Sequence, residues 1–326
     1  MEYFWQRICD IFHMTLMIIL TMELIIGNLG NGFLALVNFM NWIKRKKISL
    51  VNQILTALAT SRICLLWFLY TALLVSLLNP DLMKTARMIK VINNLWIIFN
   101  HFSIWLATFL GIFYFLKIAN FSNSFFLYLK WRVKKAVSMT LLVSLVLLFS
   151  HILLVNLHID VWINESQRNI SYCFCSHIHA EIYRQMLSIH IIFLSVPFGV
   201  SLSSFLLLIF SLRTHHKKMQ QHVQGCRDAG TMAHIKALQT VTTFLLLYTI
   251  FFLSIFIQIW KYELLEKNLF TLFCQVIALA FPSVHSCVLI LGDMKMRQAS
   301  LSVLWWLMEV YGNLRSLKYW RSCCTF

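Results

Sequence analysis

Apolar and polar positions alternate along this chain in long blocks. Seven apolar runs, at roughly 14–40, 50–77, 91–116, 136–157, 184–212, 237–260 and 268–292, are separated by short polar stretches. A helix rising 1.5 Å per residue needs about 20 apolar residues to cross ~30 Å of hydrocarbon. All seven runs meet that length, with some to spare for tilt. The predicted fold class is an all-α membrane protein, a seven-transmembrane helix bundle over 1–292. An odd number of crossings puts the two ends on opposite faces. After Gly292, Leu301, Leu304, Trp305 and Met308 recur at helical spacing behind Lys295, Arg297 and Gln298. That pattern predicts a short amphipathic helix along the bilayer surface within a tail over 293–326.

Charge orients the bundle. Of the 28 Lys and Arg residues, nineteen fall in four segments on one side: 44–47, 117–135, 213–236 and 295–321. Only Asp228, Asp293 and Glu309 accompany them, so that face carries the whole formal net charge of +16. The opposite face holds equal numbers of acids and bases. Basic segments stay cytoplasmic, which predicts an outside N-terminus and a cytoplasmic C-terminus. With 60% hydrophobic and only 12% charged residues, and with three prolines and nine glycines, no stretch is polar enough to fold as a separate soluble domain. The positive charge lies beside membrane spans, where it favours anionic lipid, and no nucleic-acid reader is expected. Residues 1–13 carry Glu2, Arg7 and Asp10 ahead of a run too long for a signal-peptide core, so the first run is expected to remain as a span.

Several polar groups sit at hydrocarbon depth. Asn28 and Asn31, among Gly27, Gly30 and Gly32, are expected to face other helices across a small-residue surface. Arg62 lies inside the second run. Such a charge is costly, so it either snorkels to the cytoplasmic surface or, the preferred reading, forms a buried hub with Asn31 or with polar groups of the last span. Trp96 and Asn100, four apart, share a helical face in the outer half of the third run. They read either as an interfacial tryptophan with a structural amide or as one wall of an outward-facing pocket. Pro197 and Pro282 permit kinks in the fifth and seventh spans. Gly225 and Gly230 mark a turn between two cytoplasmic helix extensions.

The loop at about 158–183 carries two N-glycosylation sequons, at Asn164 and Asn169, on the side that charge places outside. It also reads Cys173, Cys175, His177 and His179, which would share a face in an extended strand. Zinc sites prefer wider spacing, so no metal is expected. Cys173 or Cys175 pairing with Cys9 stays open, since sequence cannot set connectivity. Cys323 and Cys324 are candidates for palmitoylation; prenylation suits the last four residues less well. Enzyme chemistry is not expected: there is no phosphate loop, no paired intramembrane carboxylate and no nucleophile–base motif. No cofactor is implied. Nor do inverted repeats or a polar pore face point to a transporter or channel.

Seven spans alone do not define a function; the motifs do. Asn31-Gly32-Phe33, Leu58-Ala59-Thr60-Ser61-Arg62, Asn100-His101-Phe102-Ser103, Trp105-Leu106-Ala107-Thr108, Phe113-Tyr114-Phe115-Leu116-Lys117, His234-Ile235-Lys236-Ala237-Leu238 and Pro282-Ser283-Val284-His285-Ser286 stand in order. With these blocks the chain resembles the bitter taste receptor family (taste receptor type 2, G protein-coupled receptors) over nearly its whole length. Residues 84–100 hold no cysteine and the sixth span holds no proline, unlike rhodopsin-like receptors. Vomeronasal pheromone receptors are the nearest competing resemblance, with a small-solute transporter a more distant alternative. The resemblance implies a multi-pass plasma-membrane receptor for bitter small molecules. It implies coupling to a gustducin-type heterotrimeric G protein, phospholipase C and calcium, and leaves homo- or hetero-oligomers open. It places Trp96, Ile97, Asn100, His101, Phe251 and Gln275 in the ligand pocket. Arg62, Tyr114, Lys117, His234, Lys236, His285 and Ser286 belong to the switch and the G protein cleft. It matches Asn169 to the family's outer-loop sequon, with Asn164 an addition. A neutral Gln275, where some members carry an acid, argues against selection for cationic agonists.

Overall fold

A computed structural model describes residues 2–45, 49–83, 85–119, 121–168, 175–220, 229–260, 268–293, 296–303, 305–306 and 308–310. Side chains are left aside at 2–5, 44–45, 125, 165–168, 175–183, 212, 214–220, 229–237, 268 and 271. Nine helices follow one another within the described residues: α1 (Glu2–Arg45), α2 (Leu50–Leu78), α3 (Pro80–Met83), α4 (Ala86–Ile118), α5 (Ser124–Trp131), α6 (Val133–Arg168), α7 (Cys175–Gln220), α8 (Ala229–Trp260) and α9 (Asn268–Gly292). Seven of them, all but α3 and α5, are long and apolar enough to span a membrane.

The helices outrun the apolar patterns that announced them. α1 starts at Glu2 rather than near residue 14, and α6 and α7 extend into the segment read as a loop at 158–183. Once a span is held by packing, backbone hydrogen bonding carries the helix on through turns that mix charged and apolar residues. Asn164 therefore lies on an exposed helical turn of α6, and Asn169 lies outside the described residues. Cys175–His179 are helical, so the extended-strand ligand face does not form there, and Cys173 lies outside the described residues. Cys9 is an exposed free thiol. The Gly225 turn falls outside the described residues, as do the tail cysteines 323 and 324.

Ends are capped where the sequence supplies a hydroxyl or an amine. Ser49 Oγ accepts from Asn52 N (3.2 Å) to start α2, and Thr85 Oγ1 accepts from Met88 N (3.4 Å) to start α4. α5 seals the far end of α4: Lys130 Nζ donates to the Ala119 carbonyl at 2.7 Å while lying over the Phe126 ring. Past Asp293, whose Oδ1 accepts from Met296 N at 3.1 Å, the chain is helical again over 296–303. There Met296 is buried, whereas Leu301, Trp305, Trp306 and Met308 are exposed.

The spans close into a ring with α4 at its centre. α1 packs on α2 and α9, α4 packs on α2, α6 and α7, and α8 bridges α7 and α9. Within the most apolar stretch of each span, 61% of α4 is buried but only 11% of α1. Residues such as Ile18, Leu36, Leu142, Val146 and Phe149 point outward, which is stable only where the surroundings are hydrocarbon. The interior holds the polar groups, as lipid requires. Asn94 and Asn156 exchange reciprocal amide hydrogen bonds between α4 and α6 (3.2 and 2.9 Å). Thr108 and Ser201 hydroxyls meet at 3.0 Å between α4 and α7. Tyr248 on α8 donates to the Leu194 carbonyl at 2.6 Å, one turn before Pro197 in α7. Asn28 differs from expectation: it is half-buried and its amide donates back to the Leu24 carbonyl (2.8 Å) of its own helix.

Candidate functional site

Arg62 is fully buried, at 0% exposure. It does not snorkel: the guanidinium turns into the bundle toward α9. Its Nη2 donates to His285 Nδ1 at 2.6 Å and its Nη1 to Ser286 Oγ at 3.3 Å. Because a guanidinium can only donate, His285 Nδ1 must accept, which fixes the proton of the neutral ring on Nε2. Ser286 Oγ in turn lies 2.7 Å from both Asn31 Oδ1 and the Pro282 carbonyl. Asn31 spends its amide hydrogen on the Gly27 carbonyl at 2.7 Å. One buried network thus ties α1, α2 and α9 together, and Asn31 joins Arg62 through Ser286 rather than directly. The Arg62 guanidinium carbon also sits 5.7 Å from the centre of the Phe281 ring.

The backbones of α1 and α9 approach closely beside this network. Ser283 Oγ donates to the Glu23 carbonyl at 2.9 Å. A methyl group on Gly27 would collide with Ser283 Oγ and approach Leu66 Cδ1 to 2.7 Å.

A cavity of about 260 Å³ opens at the end of the bundle opposite the basic segments, among α2, α4, α7, α8 and α9. Three of the pocket residues expected from sequence line it: Trp96, Phe251 and Gln275. Gln275 Oε1 is buried there with no hydrogen-bond partner among the described residues. The other three lie behind the wall. Ile97 packs with Val155, Ile159 and Met186 between α4, α6 and α7. Asn100 and His101 are buried one turn deeper, with the His101 ring 5.8 Å from that of Trp105. Two different reasons apply: Ile97 and His101 are rotated about 100° and 140° away from the face that Trp96 presents to the cavity, whereas Asn100 shares that face and lies one turn deeper.

The sequence reading missed His190. Its ring lines the cavity, 4.6 Å from that of Trp96, and its Nδ1 meets His151 Nε2 at 2.8 Å. Exactly one of those two nitrogens carries the shared proton, so a change of tautomer lets His190 Nε2 either donate or accept. Two isolated histidines in apolar runs of the fourth and fifth spans give no sequence signal of this pairing.

From the cavity a line of rings leads to the network. Phe251 in the wall stacks on Phe281 at 5.8 Å, and Phe281 is the ring over Arg62. At the basic end, Tyr114 is half-buried and Lys117 is exposed, its Nζ lying 5.5 Å from the Phe113 ring centre. His234 and Lys236 sit on the helical backbone of α8, and their side chains lie outside the described residues. Among the described residues no cluster of His, Cys, Asp or Glu is arranged to hold a metal ion.

A seven-helix bundle with a buried polar network and a small aromatic cavity at one end is a multi-pass membrane protein with room for a small molecule. The chain matches the family model described as taste receptor protein (TAS2R) over residues 8–308. It is 69% identical to rat taste receptor type 2 member 117 (Rattus norvegicus), over 94% of this chain and 96% of that protein. It is 66% identical to rat member 109 with the same coverage, and 61% identical to mouse member 117 (Mus musculus) over the full length of both. The chain belongs to the taste receptor type 2 family: it is a bitter taste receptor, and not an enzyme.

Proposed function

We propose that this receptor sits in the plasma membrane with its basic end in the cytosol, receives bitter small molecules in the cavity, and activates a gustducin-type G protein, phospholipase C and calcium release. The observation that carries this reading is the unbroken contact from Phe251 through Phe281 to Arg62. An agonist shifts a two-state bundle only by binding one arrangement better than the other, and it needs a physical element whose state can change. The α1–α2–α9 network is that element. Trp96, Phe251 and His190 offer flat apolar area, and Gln275 offers a free acceptor. Ile97, Asn100 and His101 support the wall from behind. A small, mostly apolar site with few polar groups suits broad detection at modest affinity. Tyr114, Lys117, His234 and Lys236 shape the G protein cleft, and Asn164 and Asn169 carry sugar outside. The helix after Asp293 lies on the inner leaflet with its tryptophans in the headgroups.

Calcium imaging in cells co-expressing a gustducin-like chimera, screened with bitter compounds, tests the reading. A response should appear with the chimera and vanish without it. Gln275→Leu removes one acceptor, a net loss of about 1 kcal/mol, so agonists with a hydrogen-bond donor should lose roughly five- to tenfold in potency. Surface staining should be unchanged. Equal potency for every agonist would remove Gln275 from the site, and a silent receptor at normal surface density would remove the coupling.

A further inference from the structure

A second opening between helices is larger than the agonist cavity. A groove of about 660 Å³ lies in the half of the bundle nearer the basic end, between α1, α2 and α4, and faces outward to the lipid. Asn38 lines it and is only 3% exposed, yet both its Nδ2 and its Oδ1 lack any partner among the described residues. An amide left idle at hydrocarbon depth is costly. Among the described lining residues it is the buried one with both a free donor and a free acceptor; the Gln53 amide, at the end of the groove, is exposed. The hydroxyl protons of Thr56, Thr60 and Ser61 are already given to carbonyls of their own helix at 2.8, 3.0 and 2.9 Å.

We infer that this groove is a binding site for a membrane sterol, whose single hydroxyl donates to Asn38 Oδ1 and accepts from Asn38 Nδ2 once a side-chain rotation turns that buried amide toward the groove. Four features select that chemistry. Among the described residues no charged side chain lines the groove, so a fatty carboxylate or a phospholipid head finds no counter-charge there. The walls are flat rings, Phe39 and Trp42 (5.6 Å apart) from α1 and Phe99 and Phe102 from α4, which suit a rigid fused-ring face better than a mobile acyl chain. The lining on α2 runs from Gln53 to Cys64, about 16 Å along the axis, so a head near the basic end leaves a rigid body reaching toward mid-bilayer. The opening is lateral, so entry from the bilayer needs no path through water.

The site also touches the switch. Asn38 lies two helical turns from Asn31, and Ser61 is adjacent to Arg62. Occupancy therefore bears on the α1–α2 contact that holds the network, independently of which agonist fills the outer cavity.

The test uses the full-length receptor in lipid nanodiscs with a photoreactive diazirine analogue of cholesterol, mapped by peptide mass spectrometry. Labelling should saturate and concentrate in 38–64 and 98–106. Unlabelled cholesterol should compete, and its 3α epimer at least fivefold more weakly. Asn38→Leu should cut labelling at least fivefold. Ala57→Trp, on the exposed rim of the groove, should do the same by filling it, so the result does not hang on one variant's folding. Labelling spread evenly over all seven spans, equal competition by the epimer, indifference to both substitutions, or saturable labelling by photoreactive palmitate in place of the sterol would each overturn the assignment.

Discussion

Arg62→Ala should abolish the agonist-evoked calcium response while a fraction of the receptor still reaches the surface. The substitution leaves His285 and Ser286 without their donor in the bundle interior and opens a void beneath Phe281. Breaking a buried, hydrogen-bonded charge network from one side typically costs about 3–5 kcal/mol, enough to redistribute a two-state bundle whose states differ by a few kcal/mol. Arg62→Lys separates charge from geometry. An ammonium is a point donor on a flexible stem and cannot reproduce the planar fork that reaches His285 and Ser286 together. It should restore expression more than signalling, with the maximal response well below half of the parent. Pairing Arg62→Met with His285→Phe should give effects that do not add, because both belong to one network. Concentration–response curves normalised to surface antibody staining supply the numbers. A full response from Arg62→Ala at matched surface density would show that the network is only a packing device.

The second large effect is on assembly. Gly27→Val should reduce surface receptor by an order of magnitude, and Gly27→Ala severalfold, whereas Gly32→Ala should be neutral. A side chain at Gly27 meets Ser283 and Leu66, while the same position at Gly32 is open for 4 Å. Overpacking in a tight interior costs about 1–3 kcal/mol, more than the ~1 kcal/mol gained by replacing glycine within a helix. The predicted damage includes the Ser283–Glu23 hydrogen bond, and with it the register of α1 on α9. Flow cytometry of tagged receptors reads this directly, and equal staining of the Gly27 and Gly32 variants would refute the close-packing account.

What the sequence made legible follows from what lipid demands. Seven spans could be read because hydrocarbon imposes a length on each. The Arg62 hub could be read because a charge at that depth must find partners, and the last span offered His285 and Ser286. The ends of the helices could not be read: the first turns of α1 and the last of α6 mix charged residues such as Arg7, Asp10 and Asp160 with apolar ones, so hydrocarbon sets no length there. The pocket was half legible. Spacing placed Trp96 and Asn100 on one side of a helix, but whether a side chain lines a space or backs it depends on rotation relative to four neighbours, which only the assembled bundle sets. The His151–His190 contact and the idle amide of Asn38 belong to the same class, since each is defined by where two helices happen to face one another.

Ser286 has a single hydrogen and two carbonyl-type oxygens at equal distance, one on the neighbouring helix and one in its own proline turn. Giving it to Asn31 joins the seventh span to the first; giving it to Pro282 closes a bond within the seventh and leaves Ser283 on the Glu23 carbonyl to hold the two together. A rotation of one hydroxyl, far smaller than any helix displacement, thus exchanges a tie between two spans for one within a single span.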